Sequence, residues 1–168
     1  MLKINDFVIY GLMGVYKIVD IAKEENIYNI ETEYYVLQPL CDNNLTIKCP
    51  VDSPKILIRK VISKEEALSL IETIPGTETV WIENNRERNL RFKASLNTGE
   101  CEEWIKLLKT LYIEKQKKSV AGKKLGKADE DIMKAAETNL YEEFSIALNI
   151  SPNLVLSFIE DHLSYNLI

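Results

Sequence analysis

The sequence predicts an α+β protein in which a small all-β domain precedes a larger all-α domain. Residues 1 to about 61 contain short runs of β-branched and aromatic residues that are separated by turn residues. From Ser63 onward the apolar residues recur at helical spacing instead. The chain has 168 residues, of which 46% are hydrophobic, so it can form one globular domain or two small ones. We therefore place the domain boundary between residues 62 and 63.

Five strand-like runs occupy the β domain, residues 1–62. Gly11, Gly14 and Pro39 interrupt these runs, and Asp42-Asn43-Asn44 suits a hairpin tip because Asn and Asp tolerate positive φ. Five short strands in about 60 residues predict a small antiparallel barrel of the SH3 or Tudor kind. The runs are Phe7–Tyr10, Val15–Ile21, Tyr34–Leu37, Leu45–Cys49 and Ile56–Arg59.

About five helices are predicted in the α domain, residues 63–168. Ser63 and Glu66 form a capping-box pattern that begins the first helix, and Pro75-Gly76 ends it. A stripe of apolar residues in the third helix indicates a buried face, which places Trp104 in the core. The later helices are predicted over about 79–97, from Glu100 to about Lys118, from near Asp129, and after Ser151-Pro152. The stripe consists of Cys101, Trp104, Ile105, Leu108, Leu111 and Tyr112.

Composition argues against several classes of protein. No apolar run approaches the roughly 20 residues that span a bilayer, and the N-terminus lacks a signal-peptide pattern. The three cysteines (Cys41, Cys49 and Cys101) are widely spaced and His162 is the single histidine, so we expect neither a zinc site nor a nucleophile–histidine pair. We expect a cytosolic protein that is not an enzyme and that uses no cofactor, membrane or small-molecule substrate.

One segment has a charge opposite to that of the whole chain. Residues 86–127 carry twelve Lys or Arg and five Glu, a net charge of +7, whereas the chain carries −5. A cationic segment in an acidic protein favours an anionic partner, and double-stranded DNA is the leading candidate. The alternative is a solvated, lysine-rich helix surface. The twelve cations are Arg86, Arg88, Arg91, Lys93, Lys106, Lys109, Lys115, Lys117, Lys118, Lys123, Lys124 and Lys127.

Trp81 is the candidate wedge residue. If residues 81–96 form one helix, four side chains lie within about 80° of one another around its axis: Trp81, Arg88, Phe92 and Leu96. Phe92 could then hold the helix to the core while the indole overhangs beside Arg88 and enters a minor groove. The alternative is that Trp81 is an ordinary core residue. The candidate DNA-contacting residues are Trp81, Arg86, Arg88, Arg91, Lys93, Lys117, Lys118, Lys123 and Lys124.

The fourth strand run has the properties of a sheet edge. The run from Leu45 to Cys49 alternates apolar and polar residues and ends at Pro50, which an edge strand tolerates. An exposed edge is a template onto which a partner can add a strand. The alternative is that this strand is internal to the barrel.

The segments of the predicted strands, taken in order, resemble a known family. Its segments are DFVIYGLMGVYKIVDI (6–21), EYYVLQPL (33–40), LTIKCPVD (45–52) and ILIRKVIS (56–63). In this order and spacing they resemble the RNA-polymerase-interacting domain of the CarD/CdnL transcription-factor family, which also occurs in transcription-repair coupling factor. Asn5-Asp6 and Met13-Gly14 depart from the Gly-Asp and His-Gly that are common in the family.

The second half is similar to the C-terminal helical domain of the same family. The similarity rests on Trp81, Arg86-Glu87-Arg88, the LNTGE segment (96–100) and the GKKL segment (122–125). Trp81 lies about one helical turn further from Gly99 than in some members. Together with the strand segments, the resemblance covers nearly the whole chain.

The resemblance implies a bacterial, nucleoid-associated regulator of transcription initiation that is not an enzyme. Its β domain would dock on the RNA polymerase β subunit through the edge strand that contains Leu45, Thr46, Ile47 and Lys48. Its helical domain would touch promoter DNA at the upstream edge of the melted bubble, where a tryptophan wedges into the minor groove. Such a protein changes the lifetime of the open promoter complex.

Two other functions remain open from the residues alone. The chain could be a protein-interaction adaptor that leaves the cationic segment as solvated surface. It could also be an RNA-binding accessory module, since SH3-like barrels occur in ribosome-associated proteins.

Overall fold

The protein folds into two compact units, Met1–Val61 and Ile62–Ile168. The computed structural model describes residues 2–25, 27–28, 30–40, 44–52 and 57–165. The first unit is a five-stranded antiparallel sheet, and the second unit is helical. The α+β prediction is therefore confirmed.

The sheet has the strand order β4-β3-β2-β1-β5. Its strands are β1 (Phe7–Tyr10), β2 (Val15–Glu25), β3 (Glu31–Pro39), β4 (Ile47–Pro50) and β5 (Ile58–Lys60). All five predicted strands are present, and β2 and β3 extend further than predicted. The predicted start of the fifth strand at Ile56 and the tip residues Asp42-Asn43 lie outside the described residues.

The predicted barrel is not observed among the described strands, which form an open sheet. Within the described ranges β4 pairs with β3, and β5 pairs with β1. Closing a barrel requires its two edge strands to join in a further hydrogen-bonded ladder. β4 has four residues and β5 has three, so few backbone N–H and C=O groups are available for such a ladder.

One face of the sheet forms the core of the first unit. Alternate residues point to the same face of a strand, and the residues of this core follow that period of two. Ile9 and Val15, which lie on the opposite face, are buried as well. Val8 and Tyr10 of β1 pack with Tyr16 and Ile18 of β2, and the rings of Tyr10 and Tyr16 meet edge to face with centroids 5.5 Å apart. Tyr35, Leu37 and Cys49 complete this core from β3 and β4.

Within its described residues, 62–165, the second unit contains five α-helices. They are α1 (Lys64–Thr73), α2 (Asn85–Asn97), α3 (Cys101–Val120), α4 (Lys127–Leu148) and α5 (Val155–Tyr165), with 3₁₀ turns at Ile74–Gly76 and Pro152–Leu154. The predicted capping box is confirmed, because Ser63 Oγ accepts from the Glu66 N–H and a Glu66 carboxylate oxygen accepts from the Ser63 N–H. Gly99, with φ of 73°, separates α2 from α3. None of the described helices is both long enough and apolar enough to span a membrane.

The prediction that the second helix begins near residue 79 is wrong. The helix begins at Asn85, and the side chain of Asn84 accepts a hydrogen bond from the Glu87 N–H at 3.0 Å. An Asn side chain that satisfies a free N–H of the first turn is a strong helix start. Trp81 therefore lies before the helix, so the helical geometry predicted for Trp81 does not apply.

The third helix supplies much of the helical core. Trp104 is fully buried, and its indole N–H donates to the Leu96 carbonyl oxygen at 3.0 Å. Tyr112, which the predicted stripe included, is 56% exposed, whereas Leu107 and Thr110 are buried instead. The difference arises because α3 packs against both α2 and α4, so that its buried face is wider than one stripe and is turned away from Tyr112.

Replacing Trp104 by Ala should lower the free energy of unfolding by about 3–5 kcal/mol, because it leaves a large cavity and an unpaired carbonyl. Urea unfolding followed by helical circular dichroism measures this change. The matched control is Tyr112→Ala on the exposed side of the same helix, which should cost within about 0.5 kcal/mol. Equal losses for the two variants would contradict the assigned core.

Candidate partner and nucleic-acid interfaces

Strand β4 lies at an edge of the sheet, as the sequence predicts. It pairs with β3 from Leu37↔Ile47 to Tyr34↔Pro50, and no other described strand pairs with it. The strand begins at Ile47, two residues later than predicted, so the exposed residues Leu45 and Thr46 lead into it. A polypeptide in an extended conformation could therefore pair along its outer side.

Lys48 of the edge strand forms an ion pair that spans the sheet. Its ammonium donates to the carboxylate of Glu24 on β2, two strands away, and this hydrogen bond raises the pKa of Lys48. Both side chains are about half exposed, so solvent screens their attraction.

Arg88 lies inside the helical unit with 7% of its surface exposed. Its Nε and Nη2 donate to the two carboxylate oxygens of Asp129 at 3.1 and 2.8 Å. Its Nη1 donates to the carbonyl oxygens of Ile82 and Glu83 at 2.7 and 3.3 Å, and Nη2 also donates to Asn85 Oδ1 at 2.8 Å. The guanidinium thus joins α2, the first turn of α4 and the chain before α2.

These contacts give Arg88 an internal role rather than the phosphate-contacting role expected from the sequence. Both partners of the Arg88–Asp129 pair are buried, and the pair is bidentate, which is the strongest carboxylate geometry available to Arg. Releasing the guanidinium to a phosphate would leave Asp129 buried and unpaired, at a cost of several kcal/mol. Sequence reasoning placed Asp129 at a helix start and missed this partnership.

Trp81 is half-buried against the helices. The Arg88 guanidinium carbon lies 4.1 Å from the centroid of the indole ring, within cation–π distance. The ring of Phe92 meets the indole at 63° with centroids 6.1 Å apart, and Lys118 Nζ lies 5.7 Å from the indole centroid. The structure thus brings together the predicted residues Trp81, Arg88 and Lys118, although by a loop rather than by a continuous helix.

Other predicted cations face solvent. Arg91 pairs with Glu87 at 3.1 Å and Lys118 pairs with Glu114 at 3.8 Å, both as partners one helical turn apart. The Arg91–Glu87 pair is exposed and therefore weak, so it competes little with a phosphate. The exposed members are Arg86, Arg91, Lys93, Lys117, Lys123 and Lys124, whereas Lys118 is half-buried.

Lys109 is a second cation of this segment that faces inward. Its Nζ donates to the carbonyl oxygens of Ile74, Pro75 and Thr77 at 2.9, 2.8 and 2.8 Å. An ammonium has three donors, and here each has a backbone acceptor. The net charge of +7 in the sequence therefore overstates the charge that this segment offers to a ligand.

The two described cysteines, Cys49 and Cys101, are buried free thiols. Burial raises the pKa of the Cys49 thiol. The Cys101 thiol donates to Glu143 at 3.0 Å, and the Ile62 N–H donates to the same carboxylate at 3.1 Å. In the part of the chain that the structure describes, no group of three or more His, Cys, Asp or Glu could hold a metal ion.

Residues 2–62 match the family model of the CarD-like/TRCF RID domain. The matched residues make up nearly all of the first unit, which we call the RID domain. The match agrees with the CarD/CdnL resemblance that the strand segments carry, and it indicates a transcription-related interaction with RNA polymerase. The RID family consists of interaction domains and is not a known enzyme family. A comparison of the chain with curated proteins gave no match.

Replacing Asp129 by Ala should destabilise the helical unit by about 3–5 kcal/mol, because the Arg88 guanidinium would stay buried without its partner. Urea unfolding measures the change. The matched control is Asp131→Ala in the same helix, which removes the exposed pair with Lys127 and should cost under about 1 kcal/mol. A small loss in both variants would contradict a structural role for the buried pair.

Proposed function

We propose that this protein regulates transcription initiation by binding RNA polymerase through its RID domain and promoter DNA through its helical unit. The match of residues 2–62 to the RID family carries this proposal. The polymerase contact is assigned to the β subunit, and the DNA contact to the upstream edge of the melted bubble.

The edge strand β4 supports the polymerase contact. A partner strand that pairs along this edge forms backbone hydrogen bonds, and the exposed side chains then select the partner. Lys48 and Glu24 can exchange their mutual ion pair for charges on the partner at low cost, since an exposed pair contributes about 0–1 kcal/mol. The residues assigned to this contact are Leu45, Thr46, Ile47 and Lys48.

The surroundings of Trp81 support the DNA contact. A large apolar ring that enters the minor groove unstacks a base step at a cost of a few kcal/mol, and cations on the flanking phosphates offset that cost. The protein offers such cations on α2, at the end of α3 and in the loop that follows. The residues assigned to the DNA contact are Trp81, Arg86, Arg91, Lys93, Lys117, Lys118, Lys123 and Lys124.

A wedge of this kind acts on the open promoter complex by shifting populations. A ligand shifts an equilibrium by the difference between its affinities for the two states. If the Trp81 contact forms at the melted edge and not on closed duplex, a tenfold preference stabilises the open complex by about 1.4 kcal/mol. The polymerase contact through the RID domain raises the local concentration of the wedge at that site.

Thr46→Glu should weaken binding to the isolated β-subunit lobe by about tenfold or more, because it places an unmatched charge beside the pairing edge. Calorimetric titration measures the affinity, and circular dichroism should show an unchanged fold. The matched control is Met13→Glu, which adds the same charge at an exposed position in the β1–β2 turn. If Thr46→Glu binds as the wild type does, β4 is not the polymerase contact.

The affinity for promoter DNA should fall with salt, with a slope of log K against log salt of about −4 to −5 if five phosphates are neutralised. Fluorescence anisotropy with a labelled duplex that contains a mismatched bubble measures the slope. Lys123→Ala and Lys124→Ala should each reduce its magnitude by about 0.9. Lys64→Ala in α1 is the control, outside the cationic segment. A slope near zero would reject DNA binding, and tighter binding to structured RNA would favour the RNA-binding alternative.

A further inference from the structure

Trp81 lies in a segment without regular secondary structure, residues 77–84, which we call the Trp81 loop. A cationic side chain holds each end of this loop by its backbone. Lys109 of α3 donates to the Thr77 carbonyl oxygen, and Arg88 of α2 donates to the carbonyl oxygens of Ile82 and Glu83. We propose that Arg88 and Lys109 are positioning residues that fix the Trp81 loop, so that the indole is held ready for the DNA contact.

The shape of the guanidinium allows Arg88 to perform two tasks at once. Its N–H groups lie in one plane and point outward from the edge of the group, where they meet Asp129, Ile82 and Glu83. Its face remains available to the indole ring of Trp81, 4.1 Å away. A lysine at this position would keep the charge, but it has no planar face and no fork of donors.

Asp129 anchors the guanidinium in turn. The pair is buried on both sides, and Asp129 belongs to the first turn of α4, so the position of Trp81 is set relative to α4 as well as α2. The ring of Phe92 contacts the indole edge to face and restricts the movement of the indole on a second side. The indole therefore has defined neighbours and is not a freely rotating surface side chain.

Lys109 fixes the beginning of the loop. Its ammonium gathers the carbonyl oxygens of Ile74, Pro75 and Thr77, where the chain leaves the 3₁₀ turn that follows α1. Because each donor binds a different carbonyl oxygen, the ammonium holds the backbone from Ile74 to Thr77 in one arrangement. The loop then has little freedom between this anchor and the one at Arg88.

This inference rests on the proposed function, because it concerns how Trp81 reaches DNA. A wedge that is already held in its bound arrangement loses less conformational entropy when it binds. Arg88 and Lys109 thus contribute to DNA affinity without touching a phosphate. They act through Trp81, which makes the effect separable from direct electrostatic contact.

The test is Arg88→Lys, which preserves the net charge. Affinity for the bubble duplex should fall by about fivefold, while the salt slope stays unchanged. Trp81→Ala should lower the same affinity, and Arg88→Lys added to Trp81→Ala should cause no further loss, because residues that act through one another are not additive. Lys109→Met should likewise cause no further loss in the Trp81→Ala background.

Tryptophan fluorescence gives a readout that does not depend on DNA. The contribution of Trp81 is the difference between each protein and its Trp81→Phe counterpart, since Trp104 is common to both. Acrylamide should quench the Trp81 emission more strongly in Arg88→Lys and in Lys109→Met than in the wild type. The matched control is Lys106→Met, which removes an exposed lysine of the same helix and should leave the quenching unchanged.

Three outcomes would overturn the inference. They are unchanged Trp81 quenching in both Arg88→Lys and Lys109→Met, equal losses of DNA affinity with and without Trp81, and a salt slope reduced by about one in Lys109→Met, which removes a charge and would thereby indicate a direct phosphate contact. If Arg88→Lys does not fold, Lys109→Met decides by the same readouts. Normal DNA binding by Trp81→Ala would reject the proposed wedge, whereas the quenching would still decide whether the two cations position Trp81.

Discussion

The buried ion pair between Arg88 and Asp129 is the interaction on which the arrangement around Trp81 depends. One guanidinium joins two helices, the backbone before α2 and the face of Trp81. Because both charges are removed from water, each can remain buried only while the other stays in place. The position of Trp81 is therefore coupled to the fold of the whole helical unit and not to the loop alone.

The RID domain is governed by a different constraint, the unpaired backbone of its edge strand. A sheet with an open edge can pair with the same edge of a second copy. Lys48 is exposed on β4, and a charged side chain on an edge strand opposes such self-pairing. In the proposed polymerase contact, the same charge can meet a complementary charge on the partner. The short length of β4 further limits unspecific addition of strands.

The sequence could predict the features that depend on local period and local capping. The strands follow from alternating residues such as Val8, Tyr10, Tyr16 and Ile18, and the first helix follows from Ser63 and Glu66. The predicted start of α2 is wrong because the polar residues before and after Asn84 are both compatible with a helix. The helix begins at Asn85 because the Asn84 side chain caps it. The internal role of Arg88 depends on Asp129, which is 41 residues away, and no local pattern reveals a partner at that separation. Barrel closure likewise depends on whether distant strands pair.

The cationic segment, residues 86–127, contains exposed cations and two inward-facing ones, Arg88 and Lys109. Salt screens the electrostatic attraction of the exposed cations for an anion. Arg88 and Lys109 are bound to protein oxygens, so salt screens their interactions far less. If the proposed DNA contact forms, an increase in ionic strength would weaken it without altering the shape of the Trp81 loop. Release and rebinding could then follow each other without a refolding step.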